Sequence, residues 1–84
     1  MNNVNVKQKL KTKVTFQNNQ FEISSIIVNN RFGISYETMI FADNDLKEPF
    51  DYYEERYNSE REMLERHNEM AFLFNNGKAL EIIL

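Results

Sequence analysis

Eighty-four residues, 42% hydrophobic and 13% aromatic, supply one packed core but not two, which excludes several domains and wholesale disorder. The absence of cysteine excludes a disulfide framework and thiolate chemistry, and it fits a reducing compartment. The net charge of −3 hides an asymmetry. Residues 1–33 set Lys7, Lys9, Lys11, Lys13 and Arg31 against Glu22 alone. Residues 43–69 set Asp43, Asp45, Glu48, Asp51, Glu54, Glu55, Glu60, Glu62, Glu65 and Glu69 against four basic residues. Charge distributed in this way speaks to partners and solubility rather than to fold.

In chain order, Val4, Val6, Gln8, Leu10, Thr12, Val14 and Phe16 alternate with the lysines at 7, 9, 11 and 13. Period-2 alternation predicts a half-buried strand with ammoniums on its outer face. Terminal residues fray readily, so the strand is placed at 9–16 and residues 1–8 are expected to be loose. Gln17-Asn18-Asn19-Gln20 is a polar turn, because Asn tolerates the left-handed conformation that hairpins need. The β-branched run Phe21 to Val28 is the second strand, Asn29 to Gly33 the next turn, and Ile34 to Phe41 the third strand. Both faces of these two strands carry apolar groups, and a helix covers only one. The other face is expected to meet the C-terminal tail, a second copy or a partner.

Ala42 to Asn58 reads as a long connection holding the only proline and the cluster Phe50, Tyr52, Tyr53 and Tyr57. Ser59-Glu60-Arg61-Glu62 has the form of a capping box, with Ser59 accepting from the third helical amide and Glu62 reaching back to the amide of Ser59. The helix is expected to run to about Phe74 and to stop at Asn75-Asn76-Gly77. Its apolar stripe is Met63, Leu64, His67, Met70, Ala71 and Phe74, and its solvated face is Glu62, Glu65, Arg66 and Glu69. Ile82-Ile83-Leu84 reads as a short terminal strand or docked tail. The expected fold is therefore α+β. It is a three- to four-stranded antiparallel meander covered on one face by one amphipathic helix, β-β-β-α with a short C-terminal strand or tail, in a single domain over 1–84.

Few residues carry the pattern of known chemistry. Asp43, Asp45 and Glu54 superficially match a calcium loop, but Lys47 and Glu48 stand where an oxygen ligand and the turn glycine belong. His67 is the only histidine, so a Cys/His zinc site is excluded within one chain, and neither a cofactor nor a metal is expected. Gly33 and Gly77 are the only glycines, which leaves no phosphate-cradling loop. A serine triad has no nucleophile elbow to support it. On an apolar stripe, His67 reads first as a structural imidazole tied to the sheet, with Glu37 as its expected partner. The lysine ladder is the common guard of an edge strand, and without interleaved aromatics it disfavours nucleic-acid binding. No apolar run reaches the ~18–20 residues that span a bilayer, and Met1 to Asn5 lacks a signal-peptide layout. No membrane association and a cytoplasmic location are expected.

Ile23-Ser24-Ser25-Ile26 followed by Tyr36-Glu37-Thr38-Met39-Ile40-Phe41, then Tyr57 and the helix histidine His67, resembles a family of small uncharacterised phage and prophage proteins. That family carries an ISTV-type strand, a YETMVF-type strand and a downstream Tyr…His helix, so the likeness spans residues 21–72. It implies a phage or mobile-element origin, and hence the host cytoplasm. Small phage proteins commonly bind a host protein. The expected function is thus non-enzymatic binding of a host or phage protein, by a chain expected to form a homodimer. An anti-defence, anti-CRISPR-like inhibitor is the sharpest form. Its acidic helix face, Glu62, Glu65 and Glu69, or the uncovered sheet face would make the contact. The alternative is a small-molecule or nucleotide-signal binder with a sheet–helix or dimer-interface pocket built from Glu37, Tyr57 and His67.

Overall fold

The computed structural model describes residues 4–42, 50 and 53–84. Four strands, β1 (Asn5–Phe16), β2 (Asn19–Asn30), β3 (Gly33–Ala42) and β4 (Glu54–Tyr57), form one antiparallel meander in the order β1-β2-β3-β4. Helix α1 (Glu60–Asn75) packs on one face, and a 3-10 turn (Ala79–Ile82) follows it.

The expected meander and its covering helix are present, with corrections at several boundaries. Gln17 and Asn18 alone form the first turn, with φ of 52° and 65°, the left-handed pair that matches strand twist in a two-residue hairpin. Pairing therefore resumes at Phe16↔Asn19 and lengthens both strands. At the second hairpin Asn30 pairs with Gly33, and the Asn30 side-chain carbonyl accepts from the Phe32 amide at 2.8 Å. Gly33 has a φ of 129°, which side chains disfavour. Residues 5–8 are not loose, because they pair with Asn29, Val28, Ile27 and Ile26.

Alternation along β1 breaks at Lys9. Gln8 faces Ile26 while Leu10 faces Ser25, so Lys9 is the extra residue of a β-bulge. Leu10, Thr12, Val14 and Phe16 face the helix side, whereas Val6 and Gln8 turn to the other face. The Gln8 amide holds the kink by donating to the carbonyls of Leu10 at 2.9 Å and Ser25 at 3.0 Å. The lysine ladder is divided as a result. Lys11 and Lys13 lie on the outer face, while Lys9 reaches Glu60 at the start of α1, 3.6 Å away.

The long connection hides β4, which pairs with β3 from Tyr36↔Tyr57 to Met39↔Glu54. Three consecutive charged residues, Glu54, Glu55 and Arg56, conceal a strand whose Glu55–Tyr57 face is half-buried. The fourth strand is thus internal rather than C-terminal. The tail docks as the 3-10 turn, placing Ala79 and Ile82 in the core with Val14, Phe21, Ile23, Ile40, Phe50, Met70 and Phe74. Phe50 packs edge-on against Phe16 and Phe21, with centroids 5.9 and 5.3 Å apart.

Ser59 caps α1 as expected, its hydroxyl accepting from the Glu62 amide at 3.1 Å. The Glu62 carboxylate reaches one residue further back, accepting from the Asn58 amide at 3.1 Å rather than from Ser59. At the far end Gly77, φ 70°, permits a Schellman closure in which the Lys78 and Gly77 amides donate to the carbonyls of Leu73 and Phe74. Met63, His67, Met70 and Phe74 are the buried stripe, with Leu64 and Ala71 at its margin.

Candidate functional site

The register places Ser25 of β2 directly opposite Thr38 of β3, on the face that α1 covers. Each interrupts a run of apolar residues on that face, Ile23 and Ile27 around Ser25, Tyr36 and Ile40 around Thr38. His67 projects from the middle of the helix stripe onto this polar gap. All three side chains are fully buried. His67 Nδ1 lies 2.7 Å from the Ser25 hydroxyl and Nε2 lies 2.9 Å from the Thr12 hydroxyl of β1. Ser25 and Thr38 share a hydrogen bond of 2.5 Å. On the neighbouring β4, the Tyr57 hydroxyl donates to Glu55 at 2.9 Å. Arg66 closes the chain from the helix, donating to both oxygens of Glu55 at 2.9 Å. Tyr53 also bonds Glu55 and donates to the carbonyl of Ile82 at 3.1 Å, tying the tail to the same cluster.

An ionised carboxylate only accepts, so Tyr57 donates to Glu55. The donor order along Thr12, His67, Ser25 and Thr38 follows the imidazole tautomer: an Nδ1–H ring donates to Ser25 and accepts from Thr12, and an Nε2–H ring does the reverse. Burial lowers the His67 pKa and favours the neutral ring. Burial opposes the charge on Glu55, yet hydrogen bonds from Arg66, Tyr53 and Tyr57 and the charge of Arg66 outweigh it and hold the carboxyl below its usual range. Burial, reinforced by Glu55, pushes the Tyr57 phenol well above its ordinary value.

Such a ladder satisfies buried polar groups. Among the described residues no buried side-chain nitrogen or oxygen lacks a partner. It is poorly arranged for acyl transfer, since Ser25 and His67 are both 0% exposed and closed to a substrate carbonyl.

The expected pairing of His67 with Glu37 is incorrect. Odd-numbered residues of β3 face away from α1, and the Glu37 carboxylate accepts from Ser35 at 2.7 Å on the outer face, across from Arg56. Tyr57 and His67 lie on the same face of the sheet, Tyr57 bonded to Glu55 and His67 to Ser25 and Thr12, but Glu37 is separated from them by the sheet. Arg66 is half-buried against Glu55 rather than solvated. The helix acids Glu62, Glu65 and Glu69 are exposed, with local partners in the Asn58 amide, Arg61 and Arg66 respectively. Much of the calcium-like stretch, residues 43–49, lies outside the described residues, as do Asp51 and Tyr52. Among those described, no group of acidic or imidazole side chains is placed to hold a metal. No described helix is long and apolar enough to cross a membrane.

Thr12, Glu55 and Arg66 were not read as site residues from the sequence, and Ser25 and Thr38 entered only through the strand motifs. The available signal was two hydroxyl residues on otherwise apolar strand faces, together with a histidine on an apolar helix stripe.

The ladder and its surroundings define an α+β meander with one covering helix and a buried polar cluster between them. Comparison with family models, curated proteins and solved structures gives no match.

Proposed function

We propose that this chain is a non-enzymatic binding protein that engages a host or phage protein through uncovered apolar surface. Its sharpest form is an anti-defence, anti-CRISPR-like inhibitor, and that form rests on the likeness of residues 21–72 to small phage proteins. The observation that carries the binding reading is the contrast between the two parts of the molecule. Polar side chains inside are satisfied by one another, while large apolar side chains stand in solvent at the end of the sheet beyond α1. Phe32 at the β2–β3 tip is 83% exposed and Ile34 56%, beside Val4 at the adjacent end of β1. The Arg31 guanidinium sits 4.8 Å from the Phe32 ring centroid. Arginine and aromatic side chains are the types that dominate binding energy at protein interfaces. The acids of the helix face are less suited to mimic a phosphate backbone, because Glu65 and Glu69 are already ion-paired to Arg61 and Arg66.

Affinity capture from lysate of the host tests the proposal. The wild-type chain is expected to retain one dominant protein, and Phe32→Ser/Ile34→Ser to lose it while keeping the wild-type circular dichroism spectrum. Capture that survives this change but disappears with Glu62→Lys/Glu65→Lys/Glu69→Lys would transfer the contact to the helix face. Absence of any captured protein, combined with stabilisation by a nucleotide, would replace the reading with a small-ligand one.

A further inference from the structure

The face of the sheet opposite α1 is covered by no described residue, and its composition is ordered. Register pairs locate each outward side chain. Lys11, Ser24, Met39 and Glu54 form one row across the four strands, and Gln8, Ile26, Glu37 and Arg56 form the next. Lys13, Glu22 and Phe41 lie on one side of these rows, and Val6, Val28 and Ser35 on the other. The apolar side chains therefore make an oblique stripe, from Phe41 and Met39 on β3, through Ile26 and Val28 on β2, to Val6 on β1. Phe41 is 48% and Val6 61% exposed at its two ends. The bulge at Lys9 creates the last part of it, because regular alternation would have turned Val6 to the helix side.

Charge is sorted on either side of the stripe. On the β1 flank lie Lys11, Lys13 and Glu22, with Lys11 and Glu22 3.6 Å apart, leaving Lys13 as the surplus cation. On the β4 flank lie Glu37, Glu54 and Arg56, with Glu54 and Arg56 paired at 2.8 Å, leaving Glu37 as the surplus anion. A two-fold axis running along the stripe maps apolar residues onto apolar residues and exchanges the flanks. The basic flank of one copy then meets the acidic flank of the other. Two-fold axes across or along the strands do not superimpose the oblique stripe on itself.

We infer that the outer sheet face is a homodimer interface, in which two copies stack face to face about an axis along the Phe41–Val6 stripe. Three strands ~4.8 Å apart, paired over ~10 residues at ~3.3 Å each, with the four residues of β4 beside them, offer on the order of 500 Å² before side-chain relief. A standard interface takes about 800 Å² per partner, so a weak dimer in the micromolar range is expected. Packing at ~10 Å between the faces would give a sandwich with α1 on each outside. The β2–β3 tip and the helix faces stay free, so this inference is independent of the partner contact proposed above.

Sedimentation equilibrium on the full chain tests it. The wild type is expected to pass from monomer to dimer with rising concentration, and Val6→Ser/Phe41→Ser to weaken association at least about tenfold. Lys13→Glu and Glu37→Lys, each alone, are expected to associate more weakly than wild type. An equimolar mixture of the two recovers dimer, because each cross-copy contact is again between opposite charges. A wild type that stays monomeric throughout overturns the interface. A dimer whose mixture gains nothing over the separate variants overturns this arrangement of it.

Discussion

His67 shows how one ring can hold three strands. Its two nitrogens reach Thr12 on β1 and Ser25 on β2, and Ser25 passes the link to Thr38 on β3. Burial of the ring predicts a neutral imidazole at pH 7, which the ¹⁵N and ¹³C shifts of His67 report directly. A protonated ring at that pH would contradict it. The sign of the pH effect follows. A buried neutral histidine has a folded pKa below its ordinary 6.5, so the unfolded chain binds the extra proton as pH falls. Stability is full above that value and declines below it, until the folded ring also titrates. His67→Gln is expected to flatten this step in urea midpoint against pH. A second loss, from Glu55, begins below its ordinary 4.5, since its folded pKa is lowered. In the sequence, burial of His67 was legible from the helical stripe. Its partner was not, because a charge needing neutralisation drew attention to Glu37 while two ordinary hydroxyls sat on the correct strand faces.

Elements follow from local chemistry more closely than the ladder does. The cap, the stripe and the glycine stop of α1 were all readable, since each depends on residues within a turn of one another. Ser59→Ala should lower stability by about 1 kcal/mol in chemical denaturation, through loss of the hydroxyl acceptor for the Glu62 amide. Gly77→Ala should cost a similar ~1 kcal/mol, because its φ of 70° is unfavourable for any side chain although space is available. Strand β4 was hidden, since three of its four residues, Glu54, Glu55 and Arg56, are charged and give no period-2 signal. What secures it is long-range, the Glu55 carboxylate held between Tyr53, Tyr57 and Arg66. A double-mutant cycle with Glu55→Gln and Arg66→Met is expected to give a coupling of about 1–2 kcal/mol, more than a surface pair and less than a fully buried one. Additive single effects would mean that the pair contributes nothing to docking α1 on β4. The bulge at Lys9 was equally invisible, because an unbroken alternation of lysines reads as one regular strand.

Over the whole molecule, the sheet is longer than the helix that covers it. Strands β1 and β2 have 12 residues each, about 40 Å at ~3.3 Å per residue. Helix α1 has 16, about 24 Å at 1.5 Å. That mismatch leaves Phe32 and Ile34 in solvent, and the single covering layer leaves the opposite face open. The need for something to meet the second face was legible from apolar residues on both sides of β2 and β3. The oblique course of the stripe was not, because it depends on register and on the bulge. If the buried ladder is structural and the exposed sheet end makes the proposed contact, capture from host lysate with two folded variants side by side separates the two roles. His67→Gln, which alters the ladder, is predicted to retain the same dominant protein as the wild type once its native circular dichroism is verified. Phe32→Ser/Ile34→Ser is predicted to release it. Loss of the partner by the His67 variant with retention by the tip variant would contradict the account.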